Sequence, residues 1–139
     1  MMSKLLIIDD SQDLLLMMKK ILERSGHIVK TLTNADNICE EIHQFNPDLL
    51  ILDILLAGAD GREICSILKK AADTQNLRIL AFSASPKNSS DYRSYHADDF
   101  MEKPFDIKIL LDKINSLLLP AAVDEIHSVD TGTRASAKS

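Results

Sequence analysis

A chain of 139 residues fits one domain, and 45% apolar with 27% charged residues is enough material for a hydrophobic core. A formal net charge of −5 argues against general nucleic-acid binding through phosphate neutralisation. No run reaches the ~20 apolar residues of a membrane span, the opening apolar stretch is too short for a secretory signal, and the histidines and cysteines form no zinc-ligand cluster. Cys39 and Cys65 are expected to be reduced thiols on apolar helix faces of a cytoplasmic protein.

In chain order, "KLLII" (4–8) predicts a buried strand ending in acids. The next segment predicts a helix with Leu14, Leu15, Met18, Ile21 and Leu22 on one face, started by Ser11 and ended by Gly26. "HIVKTL" (27–32) predicts a second strand. Residues 34–45 repeat Ala35, Ile38, Cys39, Ile42 and Phe45 at helical spacing, until Asn46-Pro47 breaks the pattern. "DLLILDI" predicts a third strand, apolar on both faces. "DGREICSILKKAA" predicts a helix with Ile64, Cys65, Ile67 and Leu68 inward. "LRILAFSA" (77–84) is a fourth strand and "DDFMEK" (98–103) a short fifth, with a weak helix expected near 89–96 between them. The last helix, 106–119, carries Ile107, Leu110, Leu111, Ile114 and Leu118 on its inner stripe. Residues 120–139 are small and polar and are expected to form a mobile tail.

Strands alternating with helices predict a parallel sheet covered on both faces, with ligands at the carboxyl ends of the strands. The sequence offers its own test of that rule. The first strand ends in Asp9-Asp10, the third at Asp53, the fourth at Ser83 and the fifth at Lys103; the second contributes nothing. Three acids at one lip repel one another and need positive charge among them. Lys103 supplies one charge, and a divalent cation would supply two more. With oxygen ligands and no imidazole nearby, the ion should be Mg²⁺, or Mn²⁺ in its place. A metal, a lysine and the Ser83 hydroxyl together can stabilise a transferring phosphoryl group. Asp53 can then attack phosphorus and become an aspartyl phosphate. A carboxylate in an otherwise apolar strand is explained if the sheet exists to aim it.

The pieces "IIDDS", "LLILDILLAGADG", "AFSAS" and "DDFMEKPFD", in this order and spacing, resemble the receiver domain of two-component response regulators over residues 3–119. The resemblance implies a flavodoxin-like (βα)5 doubly wound sheet with strand order 2-1-3-4-5. It makes Asp53 the phosphoacceptor. Asp10, Asp53 and the backbone carbonyl of Leu55 become Mg²⁺ ligands, with Asp9 acting through a water. Ser83 becomes the switch hydroxyl, Phe100 the switch aromatic, and Lys103 the site lysine, joined to Pro104 by a cis peptide bond. Gly61 matches the glycine after the active-site loop.

The implied function is a phospho-accepting signalling module, fed by a histidine kinase or phosphotransfer protein. The implied chemistry is limited to Mg²⁺-dependent self-phosphorylation and slow self-dephosphorylation, without other enzyme activity. No effector domain follows the last helix, so the stand-alone type is expected, with output through an unknown downstream protein and no nucleic-acid or membrane partner. This chain departs from the family at Ala57, often proline, at Phe100, often tyrosine, and in the short polar segment between Ser83 and Lys103, which suggests a reduced fourth helix. At Leu55 a polar side chain could orient an attacking water; leucine, with small Ser85 opposite, predicts a long-lived phosphoform.

Other classes fit less well. A phosphohydrolase with an aspartyl nucleophile usually has an acid two residues on, where this chain has Leu55, and no cap domain is present. A degenerate receiver acting as a binding module would not need the complete acid–serine–lysine set. A flavodoxin-type cofactor binder would need a phosphate loop after the first strand, where acids stand; GxGxxG and P-loop motifs are absent.

Overall fold

The apolar run Lys4–Ile8 forms β1, in which every residue after Lys4 is buried. Its neighbours in the sheet explain why a continuous apolar run is needed: both faces of the strand are covered. The computed structural model describes residues 2–84 and 91–119. Helix α1, Gln12–Arg24, starts where the Ser11 side chain accepts the Leu14 N–H and turns Leu15, Met18 and Leu22 inward. Gly26 then takes a φ of +97°, a conformation that costs glycine little, and β2 follows at Ile28–Leu32.

Helix α2 spans Ile38–Phe45 and ends on Asn46 in the left-handed region, ahead of Pro47. Strand β3, Leu49–Asp53, is buried at every position. A small antiparallel hairpin follows, made of β4 (Leu55–Leu56) and β5 (Ala59–Asp60). Asp60 caps α3, Gly61–Lys70, by accepting the Arg62 N–H. Strand β6 is Arg78–Ser83, a 3-10 turn covers Tyr92–Tyr95, and β7 is Asp99–Glu102. Helix α4, Ile107–Leu117, is capped by the side chain of Asp106.

The main sheet runs β2-β1-β3-β6-β7, all neighbours parallel, which is the doubly wound order expected. Alternation along the strands sorts the core into two layers. Leu5, Ile7, Leu49, Ile51, Leu80 and Phe82 pack with Leu15 and Met18 of α1 and with Leu110 and Ile114 of α4. Leu6, Ile8, Leu50, Leu52, Ile79 and Ala81 pack with Ile42 of α2 and with Cys65 and Leu68 of α3. Each fully buried Leu or Ile contributes about 1.5–3 kcal/mol, so this sandwich anchors the strand ends firmly. Order reverses at β1, with β2 on one side and β3 on the other, and the acids follow β1 and end β3.

Several sequence expectations need correction. Helix α2 begins at Ile38 rather than at 34, because the Asn34 side chain accepts the Asp36 N–H and closes a local turn instead. The weak helix near 89–96 is a 3-10 turn at Tyr92–Tyr95, with residues 89 and 90 of the expected helix lying outside the described residues. Cys39 is exposed on the flank of the short α2 stripe, while Cys65 is buried as expected. Ile67 is 57% exposed, about a quarter-turn off the stripe of Ile64, Cys65 and Leu68. Ile107 is 46% exposed in the first turn of α4, where side chains lean back past the packed face. Leu117 is buried on the inner stripe of α4, which reading Leu118 as its end omitted. The expected tail lies outside the described residues.

Candidate functional site

Three chain segments deliver charged groups to one rim of the sheet. Asp9 leaves β1 with its N–H bonded to the Leu32 carbonyl at 3.1 Å, which ties it to the end of β2. Its side chain is fully buried, with Oδ1 accepting the Ser11 N–H at 2.7 Å and Oδ2 the Lys103 ammonium at 2.7 Å. Asp10, next in sequence, is exposed, and its Oδ2 accepts the Ala57 N–H at 3.2 Å. Asp53 ends β3 opposite Phe82 and is 3% exposed. Its Oδ1 accepts the Leu55 N–H at 2.9 Å, and its Oδ2 lies 3.3 Å from Lys103 Nζ.

Lys103 reaches the acids because β7 lies beside β6: its N–H bonds the Ser83 carbonyl at 2.8 Å, and its bond to Pro104 is cis. Its ammonium also sits 4.7 Å from the centre of the Phe82 ring, which stands edge-on to Phe105. Burial chiefly holds the Asp53 carboxyl above its ordinary pKa, with the charge of Asp9 adding to it; the Leu55 N–H and Lys103 pull the other way. Burial alone would lower the Lys103 pKa, but hydrogen bonds and charge from Asp9 and Asp53 outweigh it and leave the ammonium above its ordinary value.

The other predicted residues stand as follows in the sheet and its loops. Ser83 ends β6, fully buried opposite Glu102, and touches the site lysine's backbone through its carbonyl. Leu55 contributes its N–H to Asp53, while its residue is 49% exposed in β4. Phe100 pairs with Ala81 and is buried with Tyr95 and Ala97 in the layer beneath α2 and α3. Gly61 sits against the end of β3: a Cβ there would lie 2.4 Å from Ile54 Cα and 2.6 Å from the Asp53 carbonyl oxygen. Ser85 lies outside the described residues.

Carboxylate oxygens of Asp9, Asp10 and Asp53 all come within 4.8 Å of one another. Three acids against one lysine is an unbalanced charge set, and its donors are all oxygen. That chemistry fits a hard divalent cation such as Mg²⁺, which takes one or two carboxylates and keeps waters. Next to Lys103 an open groove of about 320 Å³ is lined by Leu14, Met17, Ala84, Pro104 and Phe105.

Two participants escaped the sequence reading. The Phe82 ring under Lys103 depends on strand register, which composition does not reveal. The Ala57 N–H is a backbone group; the only hint was the absence of proline at that position. No helix among the described residues is long and apolar enough to cross a membrane.

Comparison with known proteins agrees with this geometry. The response regulator receiver domain family matches residues 5–115. The phosphate regulon transcriptional regulatory protein PhoB of Rhizobium meliloti is 31% identical, over 93% of this chain and 58% of its own length. The heme response regulator HssR of Staphylococcus epidermidis is 32% identical, over 91% of this chain and 56% of its own. The chain therefore spans a little over half the length of these curated relatives. Among solved structures, response regulator TrrA of Thermotoga maritima, in complex with Mg²⁺ and BeF, superposes with a TM-score of 0.75 at 28% identity, covering 84% of this chain and 99% of that one. With that match over most of its length, and the flavodoxin-like sheet that carries it, the chain belongs to the response regulator receiver domain family of two-component signalling.

Proposed function

We propose that this chain accepts a phosphoryl group on Asp53 from a phosphohistidine of a kinase or phosphotransfer protein, and from small acyl phosphates. The observation that carries the reading is the double contact of Lys103 with Asp9 and Asp53 beside exposed Asp10, all at one rim. In the transfer, an Asp53 carboxylate oxygen forms the new P–O bond. The donor's P–N or P–O bond breaks, and its electron pair leaves with the donor. Lys103 neutralises charge on the phosphoryl oxygens, and the Ser83 hydroxyl donates to one of them. Asp10, Asp53 and the Leu55 carbonyl would hold Mg²⁺, with Asp9 acting through a water. The ion, when bound, screens the acids and the incoming phosphoryl charge.

The phosphoryl group adds about −1.5 to −2 charge at the rim. Ser83 would move toward it and Phe100 would repack behind it, altering the surface carrying β7 and α4. On that surface Lys113 is held by Asp99 at 3.1 Å. Output through a protein partner fits an acidic chain. Relatives named as transcriptional regulators keep nucleic acid within the downstream assembly, while this chain's own contacts are assigned to protein.

The test is incubation with acetyl phosphate and Mg²⁺, followed by intact mass. A labile phosphoryl adduct that Asp53→Asn abolishes supports the reading. Rapid turnover of many phosphate esters would indicate a hydrolase instead, and an unlabelled chain a binding module.

A further inference from the structure

The hairpin after Asp53 meets the acidic cluster through two backbone N–H groups, Leu55 to Asp53 at its base and Ala57 to Asp10 at its crown. Leu56 pairs with Ala59, so Ala57-Gly58 is a two-residue connection. Gly58 has a φ of +78°, and Ala57 is not among the residues with positive φ. That sign pattern belongs to a type II turn, whose first central position suits proline. The preceding residue, Leu56, is in a strand, as a residue before proline prefers. Ala57 is exposed, so its methyl group is not needed for packing. What alanine supplies and proline would not is an N–H, and that N–H donates to Asp10 Oδ2 at 3.2 Å.

Asp10 needs such a restraint. It is exposed, it faces the charges of Asp9 and Asp53, and Lys103 is engaged by those two acids. Repulsion would drive a free carboxylate out into water. The Ala57 hydrogen bond holds it in, and it does so from the same hairpin that carries Leu55. We infer that the Ala57 N–H is a positioning group for the divalent-cation site, fixing Asp10 relative to the hairpin before the ion arrives. This rests on the proposed metal reading. Hydrogen bonds behind a ligand typically change metal affinity by about 10–100-fold when removed.

Mg²⁺ binding to the full chain, followed by titration calorimetry without phosphodonor, tests it. Ala57→Pro is expected to raise the Kd for Mg²⁺ about tenfold, with the circular dichroism spectrum and metal-free thermal midpoint preserved. Ala57→Ser, which keeps the N–H, is expected to bind as the unsubstituted chain does. As a second measurement on a chain with the native hairpin, Asp10→Ala should speed hydrogen exchange at the Ala57 amide. An unchanged or tighter Kd for Ala57→Pro overturns the inference while leaving the metal reading intact, as does equal weakening by Ala57→Ser. Unaltered exchange at Ala57 also overturns it. Failure of the unsubstituted chain to bind Mg²⁺ overturns both.

Discussion

The ammonium of Lys103 lies 2.7 Å from Oδ2 of Asp9, a residue with no exposure to solvent. The lysine is therefore a structural counter-ion as well as a group aimed at Asp53, which it meets at 3.3 Å. Removing one partner of a buried pair leaves the other charge uncompensated.

Lys103→Met should accordingly destabilise the metal-free chain by on the order of 3 kcal/mol, measured by urea unfolding. Saturating Mg²⁺ should recover part of that loss, because it returns positive charge to the rim. Phosphoryl labelling should fall sharply even where folding is restored. Equal stability with and without the lysine would show that Asp9 is satisfied by its bond from Ser11 alone.

Gly61→Ala tests the close approach behind Asp53. The added Cβ meets backbone atoms, Ile54 Cα at 2.4 Å and the Asp53 carbonyl oxygen at 2.6 Å, and no side-chain rotation relieves that. The expected outcome is a loss of about 1–3 kcal/mol or more, with slower labelling of Asp53 in the fraction that folds. Denaturant midpoints and acetyl phosphate kinetics read the two effects separately.

Leu55→Asn should shorten the lifetime of the phosphoform, on the order of tenfold or more. Leu55 is half-exposed next to Asp53 and offers no side-chain donor or acceptor to a hydrolytic water. Asparagine supplies both. Loss of the phosphoryl adduct over time, in Mg²⁺ and without donor, gives the rate; an unchanged rate would remove Leu55 from the account.

His27 should give the fold a pH dependence unrelated to the rim. Burial lowers its pKa from the ordinary 6.5, and its Nδ1 is buried without a hydrogen-bond partner among the described residues. Between the folded and unfolded pKa values, the unfolded chain binds more protons. Stability therefore declines as pH falls below about 6.5 and stops declining once pH passes the folded value. His27→Gln should flatten this component in denaturation series from neutral to mildly acid pH.

The convergence of the rim acids with Lys103 was legible because a parallel sheet brings the carboxyl ends of its strands to one edge. Knowing where each apolar run stopped was enough to place Asp9, Asp10, Asp53 and Lys103 together. The β4–β5 hairpin was not legible, since two-residue strands are too short to display a period. Phe82 under Lys103 was hidden for a different reason: its contact follows from register between β3, β6 and β7. Cys39 and Ile67 looked inward because periodic spacing marks the centre of an apolar face better than its margins.

The Gly61 N–H bonds the Ile54 carbonyl at 3.1 Å, drawing the base of the hairpin shut. A loop closed at its neck can be lengthened or rewritten at its crown while the framework below stays in register. Substitutions confined to Ala57 and Gly58 therefore change the crown that touches Asp10 while the strand end carrying Asp53 stays in place, a freedom open to descendants of this chain and to a protein engineer alike.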